Sequence, residues 1–480
     1  MNFKKYHHIK KNNFLILFII WIFFWLSINS KIFDILNIFT LQFNLIYLIN
    51  FIRSILPIFS LLFLIFFLIN KKIFFIKNIK KELILFYFVL FILFQIIGSL
   101  NYKYNILFTS FLFERKNLIE LFNILDKYYY LINLISVILF FFIANIKLKE
   151  NQFKLLFFIS FIIIFLVYFP LGAIAFKAYI FSTDYSAYWN PITSPENNFL
   201  NQSMPRVTGL SRSLMIIYII STTFLITKNK LLSILHFRLG ILLTVIMGTI
   251  IWSLQSRFSV YTFLIFSILI ILNSNLKKLK KLILVLILCL SPILLSFSIS
   301  IIKNTYYLSQ SSNNNFEDHK SILPLSEKGK ILTQNRYLTV STSGRLDIWK
   351  NILTLSKDNL IFGYGSQADR WKLKKNEFDQ DNASSGLFYA LLCGGIAGLI
   401  TYLLISLEII KIIFKSIFSS FILKKNNEYV YMSSLYILIF ILLRSVVENS
   451  FMIFSLDNLI MFVSFYLLKK KLNKKTFREE

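Results

Sequence analysis

Residues 83–100 read LILFYFVLFILFQIIGSL, a stretch in which no residue carries a charge. A helix of about twenty residues crosses a hydrocarbon core of about 30 Å. The preceding segment 71–81 is rich in lysine, as is typical of a cytoplasmic loop beside a membrane helix. Lipid offers no partner to bare backbone groups, so a spanning segment must be a helix or part of a closed barrel. The continuous apolar run favours the helix.

The same pattern of an apolar block flanked by lysines recurs along the chain. The blocks are continuous rather than alternating, so they predict membrane helices and not barrel strands. The sequence therefore predicts an all-α polytopic membrane protein of about twelve transmembrane helices with both termini cytoplasmic. The predicted spans are 14–30, 44–70, 83–100, 128–146, 153–175, 210–227, 239–253, 258–274, 282–302, 386–413, 429–447 and 450–468.

The composition agrees with a membrane protein, since 56% of the residues are hydrophobic and 18% are aromatic. The formal net charge of +29 resembles that of a nucleic-acid-binding protein. The lysines, however, lie beside the ends of apolar blocks, which is how cytoplasmic loops are marked. We therefore expect membrane lipid and not nucleic acid as a partner. Cys289 and Cys393 both lie inside apolar blocks and predict neither a disulfide framework nor a metal site.

One long polar segment divides the chain into three parts. Residues 1–302 hold the first nine predicted helices with short loops, and residues 386–480 hold the last three with a basic cytoplasmic tail. Residues 303–385 form a loop far longer than ordinary connections, which predicts a functional or separately folded segment. Under the twelve-helix topology this loop is periplasmic.

Inside this loop the sequence predicts one helix. Ser343 is placed to cap the run Gly344–Asp358. An apolar face at helical spacing predicts that the helix lies on the membrane surface or against the bundle, and this face consists of Leu346, Trp349, Ile352 and Leu353. The following Gly363-Tyr364-Gly365 predicts a turn.

Charged residues inside apolar blocks are expensive and tend to be functional. All those found here fall in the outer half of the membrane under the predicted topology, which suggests one polar site opening outward. Alternatively, arginines near helix ends extend to the interface, and the i,i+4 pair Arg444 and Glu448 forms a structural ion pair. The residues concerned are Arg53, Arg212, Arg257, Arg444, Glu448 and Asp457.

Arg345 lies in the first turn of the predicted loop helix, where the helix dipole disfavours a cation. A helix N-terminus together with a guanidinium makes a strong site for phosphate, because both present N–H donors. Arg345 is therefore a candidate anion-binding residue. The spacing of Gly394 and Gly398 in a membrane helix favours close helix packing.

Four stretches in this order resemble the bacterial O-antigen polymerase and O-antigen ligase superfamily, over residues 200–465. They are Arg206-Val207-Thr208-Gly209, then Gln255-Ser256-Arg257, then Ser343-Gly344-Arg345-Leu346-Asp347-Ile348-Trp349 followed by Gly363-Tyr364-Gly365, and finally Ala383-Ser384-Ser385-Gly386-Leu387 leading to Gly395.

The resemblance implies a membrane glycosyltransferase that acts at the periplasmic face of the inner membrane on sugar chains carried by undecaprenyl pyrophosphate. It implies no cofactor, no nucleotide sugar, no metal and a chain-length regulator protein as partner. Polymerases move the growing chain onto the next lipid-linked repeat unit, whereas ligases move the finished chain onto the lipid A core. A lipid-linked oligosaccharide flippase is the remaining alternative, although we see no internal repeat of the kind expected of a transporter.

The resemblance also suggests roles for particular residues. Arg257 and Arg345, with Arg206 or Arg212 and the nearby Arg444, are expected to bind the pyrophosphate. The base that accepts the proton of the attacking hydroxyl group is expected to be Glu448, or Asp381 or Asp379. Ligases typically carry a His-Asn pair before the helix that holds the glycine, and this chain has Ser384-Ser385 there. The missing histidine favours a polymerase.

Overall fold

The protein is described from a computed structural model of the whole chain. The structure describes residues 3–28, 30, 45–70, 82–101, 115–181, 207–227, 234–254, 256–274, 276–313, 345–375, 383–422 and 428–479.

The described residues are organised as helices, numbered here in chain order. The first eight are α1 (Phe3–Leu26), α2 (Leu45–Asn70), α3 (Leu83–Asn101), α4 (Arg115–Lys147), α5 (Glu150–Phe181), α6 (Val207–Thr227), α7 (Ile234–Ser253) and α8 (Arg257–Leu272). Then come α9 (Lys278–Val285), a π turn (Leu286–Leu290), α10 (Ser291–Asn313), α11 (Arg345–Ser356), α12 (Ala368–Lys375), α13 (Gly386–Ile422), α14 (Tyr429–Val447), a 3₁₀ turn (Ser450–Met452) and α15 (Leu456–Glu479).

The all-α polytopic class is confirmed. Within the described ranges, nine helices are long and apolar enough to cross a membrane, and two shorter apolar helices are Phe14–Leu26 and Arg257–Leu272. Each apolar block predicted to span the membrane contains a helix. The last helix begins at Leu456, later than predicted, because a 3₁₀ turn and a short irregular segment separate it from α14.

The chain forms two compact units. The first comprises Met1–Phe158, Thr342–Lys424 and Ile437–Glu480, and the second comprises Ile159–Ser341 and Lys425–Tyr436. The first unit thus joins the two ends of the chain with a segment that begins inside the long loop predicted at 303–385.

Aromatic packing holds the interior of the first unit together. Trp21 of α1 stacks on Phe140 of α4 with ring centroids 5.4 Å apart. Phe141 stacks on Phe462 at 5.0 Å and on Tyr466 at 5.6 Å, both from α15. These rings are fully or almost fully buried. Large rings of this kind contribute through buried area and through their preferred pair geometries.

A polar cluster ties one end of this unit together around Glu82, directly before α3. Its Oε2 atom lies 2.5 Å from Nζ of Lys469 and accepts a hydrogen bond from the Tyr466 hydroxyl group at 3.3 Å. Its Oε1 atom accepts a hydrogen bond from the Asn145 amide at 2.8 Å. Glu82 therefore joins the start of α3 to the end of α4 and the middle of α15.

The second unit uses small hydroxyl side chains between its helices. Ser211 of α6 and Ser259 of α8 are 3.0 Å apart, and the hydroxyl groups of Tyr218 and Ser267 are 2.6 Å apart on the same two helices. Small polar side chains let membrane helices approach closely and bond across the interface.

Candidate functional site

Helix α13 is broken at Gly395, and the loop between α11 and α12 is hydrogen-bonded to the helix at this break. Gly395 has φ 63° and ψ −159°, a conformation outside the helical region that is essentially restricted to glycine. A break of this kind leaves backbone groups without helical partners, and in a membrane segment these must be satisfied by protein.

The loop between α11 and α12 supplies those partners. The N–H groups of Tyr364 and Gly365 each donate to a carbonyl of α13, Leu392 and Cys393 respectively, at 2.9 Å. In the other direction, Ile396 N–H donates to the Leu360 carbonyl at 2.8 Å, and Ala397 N–H donates to that of Ile361 at 3.2 Å. The predicted turn at residues 363–365 is confirmed, and it completes the hydrogen bonding of an interrupted membrane helix.

Two glycines allow this close approach. A Cβ atom on Gly363, whose φ is 64°, would lie 2.6 Å from the backbone nitrogen of Gly395. A Cβ atom on Gly395 would lie 2.3 Å from the carbonyl carbon of Ile361. The glycine-rich sequence of α13 therefore serves contact with a loop backbone at Gly395. The expectation of helix packing through Gly394 and Gly398 missed this break.

Helix α11 spans Arg345–Ser356, inside the run 344–358 that was predicted to be helical, and it packs against α13. Ile348 and Ile352 are buried, and Trp349 stacks on Phe388 of α13 with ring centroids 5.0 Å apart. Leu346 and Leu353 are about half exposed, so the predicted apolar face is covered in part by the protein.

An ion-pair network connects the start of α11 with α14 and α15. Arg345 Nη2 lies 3.4 Å from Glu448 Oε1, and Arg444 Nη2 lies 3.9 Å from Glu448 Oε2. Arg444 Nη1 is bonded to Oδ2 of Asp457 at 2.5 Å, and the Ser450 hydroxyl group donates to the same oxygen at 3.0 Å. Three helices thus contribute two guanidinium groups and two carboxylates.

The exposure of these side chains changes along the network. Asp457 is 0% exposed and the Arg444 side chain 6%, whereas the Glu448 side chain is 19% exposed and that of Arg345 30%. A guanidinium group carries five N–H donors in a planar fork that suits phosphate oxygens. Arg345 therefore lies at the more exposed end of the network, where Glu448 contacts it and Arg444 in turn contacts Glu448. In this position the Arg345 guanidinium group can bind an anion.

A second polar cluster follows directly in the chain at Asn449. Its Nδ2 atom donates to Oδ2 of Asp369 at 2.8 Å, and its Oδ1 atom accepts from Ser385 N–H at 3.3 Å. The same Asp369 oxygen accepts from Ala383 N–H at 3.3 Å. Asp369 is 1% exposed, and this burial raises the pKa of its carboxyl group, although Arg370 and the two donors act in the opposite direction.

Comparison with known proteins gives one match. The family model described as O-antigen ligase matches residues 242–403. Over these residues the chain is similar to the O-antigen ligase family. The match confirms the resemblance to the superfamily of O-antigen polymerases and ligases, and it indicates a membrane enzyme of surface-glycan assembly. No curated protein and no solved structure matches the chain.

The O-antigen ligase family match includes Arg257, Arg345 and Asp369 but ends before Arg444 and Glu448. The ion-pair network therefore joins a residue inside the matched region to residues of the last two helices.

The structure brings together part of the set predicted from the sequence. Arg345, Arg444 and Glu448 form one network, which Asp457 completes. Arg212 and Arg257 are half-buried in the second unit, on α6 and at the start of α8.

The remaining predicted positions are Arg53, Arg206, Asp379 and Asp381. Arg206, Asp379 and Asp381 lie outside the described residues. Arg53 donates from Nε and Nη2 to the carbonyls of Leu26 and Ile28, at 2.9 and 2.8 Å, and so caps the end of α1.

Sequence reasoning missed Gln367, Asp369 and Asn449. Asp369 and Asn449 are eighty residues apart in the chain and meet only because the loop docks on α13. The one signal in the sequence was their position: Asp369 follows the Gly-Tyr-Gly turn closely, and Asn449 follows the charged pair of α14.

Proposed function

We propose that this protein is a membrane glycosyltransferase that polymerises oligosaccharide repeat units carried on undecaprenyl pyrophosphate. The observation that carries the proposal is the position of Arg345, half-exposed at the N-terminus of α11 and ion-paired with Glu448. Transfer of a sugar from pyrophosphate releases a strongly anionic leaving group. A guanidinium beside the N–H groups of a helix N-terminus suits that charge.

The two arginines of the network differ in burial, which supports a different role for each. Arg345 is the residue we expect to contact the pyrophosphate oxygens. Arg444 is buried against Asp457, so it supports Glu448 rather than reaching a ligand itself. Both Glu448 oxygens face a guanidinium group, which favours a role in holding Arg345 over the role of proton acceptor predicted for Glu448.

The other parts of the proposal come from the sequence. Arg206, Arg212 and Arg257 remain predicted pyrophosphate-binding residues, and Asp381 remains a predicted catalytic residue. We expect the reaction to run without a metal ion at the periplasmic face of the inner membrane, with both termini cytoplasmic. A chain-length regulator protein is an expected partner.

A ligase that transfers the chain to the lipid A core is the second candidate, and the description of the matching family favours it. The sequence favours a polymerase because Ser384 and Ser385 stand where ligases carry the His-Asn pair. In the structure, Ser385 N–H donates to Asn449, so this segment lies beside the polar cluster at Asp369. A flippase remains the alternative from another class.

The test is a gel of lipid-linked and surface polysaccharide from cells that lack this protein. Single repeat units on the lipid carrier would support a polymerase, and long chains that accumulate on the carrier would instead support a ligase. Repeat units trapped on the cytoplasmic side would mean a flippase.

Complementation then tests the assignment of Arg345. Arg345→Lys keeps the charge but loses the planar fork, so we expect it to lose most of the activity while inserting normally. The matched control is Lys350→Ala, an exposed residue of the same helix, which should restore the polysaccharide fully. Wild-type activity in Arg345→Lys would contradict the assignment.

A further inference from the structure

Three carboxyl groups lie in or beside the ion-pair network, and they differ in what their oxygens contact. Asp457 Oδ2 is bonded to Arg444 and Ser450, and both Glu448 oxygens face arginines. Oδ2 of Asp369 accepts from Ala383 N–H and from Asn449 Nδ2. Its Oδ1 atom is buried and has no hydrogen-bond partner among the residues that the structure describes.

Gln367 precedes Asp369 by two residues and is also unusual. It is 4% exposed, yet neither its amide nitrogen nor its amide oxygen has a partner in the described part of the chain. Its φ of 58° lies in the left-handed region, which is strained for a non-glycine residue. The hydroxyl group of Tyr389 interacts with the backbone of Gln367.

Buried polar groups are normally hydrogen-bonded, and those that are not call for an explanation. Here the carboxylate oxygen of Asp369, which can accept, and the amide of Gln367, which can both donate and accept, lie two residues apart at the start of α12. A hydroxyl group needs one donor and one acceptor, so this pair of side chains suits the hydroxyl group of a sugar.

The cluster is coupled to the anion-binding network through consecutive residues. Asn449 binds Asp369, and the preceding residue Glu448 binds Arg345. A proton acceptor and a cation for the leaving group are thus fixed to the same end of α14. A transfer from pyrophosphate to a hydroxyl group requires both.

Building on the proposed function, we propose that Asp369 is the catalytic base of the transfer and that Gln367 holds the attacking hydroxyl group. The hydroxyl oxygen forms the new bond to the anomeric carbon as the bond from that carbon to the pyrophosphate oxygen breaks. The electron pair leaves with the pyrophosphate, whose charge Arg345 stabilises. The hydroxyl proton passes to Oδ1 of Asp369 and later returns to solvent.

Burial supports this role, because it raises the pKa of Asp369 above that of an ordinary carboxyl group and so makes the ionised form a stronger base. The titratable groups whose charges interact with it are Arg370 on its own helix and Tyr389 and Cys393 on α13. Gln367 and Asp369 are at most 4% exposed, so bulk water has little access to the proton acceptor.

The decisive variant is Asp369→Asn. Its amide oxygen can still accept from Ala383 and Asn449, but the position of Oδ1 becomes an NH₂ group that cannot take a proton. We expect the purified variant to transfer sugar from a lipid pyrophosphate donor about 100- to 10,000-fold more slowly, with unchanged donor binding. The control Asp347→Asn makes the same change at an exposed residue of α11 and should retain full activity.

Two further readouts separate catalysis from folding. The raised pKa means that ionising Asp369 destabilises the folded state, so wild-type stability falls as pH rises above about 4, the ordinary range for carboxyl groups. Asp369→Asn lacks this penalty and should melt at neutral pH at least as high as the wild type. In the wild type, the transfer rate should rise with pH through the raised pKa.

The outcomes are distinguishable. Wild-type activity in Asp369→Asn, or a pH-independent wild-type rate across the weakly acidic range, would overturn the role of Asp369. If Asp369→Asn aggregates, the wild-type pH profile decides alone. A wild-type protein that transfers nothing from a lipid pyrophosphate donor would overturn the proposed function instead.

Discussion

Gly395→Ala tests the broken helix most directly. Gly395 has a φ of 63°, and an added Cβ atom would lie 2.3 Å from both the carbonyl carbon and the carbonyl oxygen of Ile361. Both atoms are backbone and cannot rotate away, so the loop must move. The strained backbone costs about 1–3 kcal/mol. If the loop moves, the N–H groups of Ile396 and Ala397 lose their partners, at about 1–3 kcal/mol each.

The sum is a destabilisation of at least about 3 kcal/mol, a large share of the roughly 5–15 kcal/mol that stabilises a typical protein. The neighbouring Gly394 gives a matched control. Its added Cβ atom would lie 3.6 Å from the nearest atom, a ring carbon of Phe91, and its φ is not positive. Gly394→Ala should therefore be neutral, or stabilising by about 0.5–1 kcal/mol.

The assay is the loss of monodisperse protein on heating in detergent, followed by size-exclusion chromatography, together with the polysaccharide ladder in cells. We expect Gly395→Ala to lower the midpoint strongly and Gly394→Ala to leave it unchanged. Packing of two helices through Gly394 and Gly398 would make Gly394→Ala the more harmful change, and that order would refute the structure of the break.

Two further substitutions test the contacts that hold the first unit together. Arg444→Leu leaves the buried Asp457 without its cation, so we expect about 3–5 kcal/mol of destabilisation in the same heating assay, with partial rescue by Asp457→Leu; an unchanged midpoint would contradict the buried pair. Lys469→Met removes the charged donor to Glu82 and should cost about 1.5–3 kcal/mol, which thermal unfolding measures against the exposed control Lys149→Met; equal midpoints for the two would argue against this cluster.

The positions of the membrane helices along the chain were predictable from the sequence, because length and apolarity alone decide whether a segment can cross a bilayer. The helix within residues 344–358 and the pairing of Arg444 with Glu448 were also predictable, since both are local in the chain. These contacts extend over at most four residues or follow from one helical turn.

The break in α13 and the cluster at Asp369 were not predictable in this way. Gly394, Gly395 and Gly398 fit the pattern of helix packing equally well, and only the backbone of Ile361 shows what Gly395 contacts. Asp369 lies in a polar loop where nothing in its neighbourhood indicates burial. Its partner Asn449 becomes a neighbour only through the docked loop, a long-range event that no local pattern records.

The hydrogen bonds between the loop and α13 also affect how the protein is made. The ribosome adds residues 360–365 to the chain before it adds the second half of α13. These loop residues have therefore already been made when Gly395 enters the bilayer. Until they dock, the carbonyls of Leu392 and Cys393 and the N–H groups of Ile396 and Ala397 lack the partners seen in the structure. Unsatisfied backbone groups are costly in lipid. Insertion of α13 is therefore not the end of its folding: the helix becomes a complete membrane segment only when a piece of polar loop has joined it.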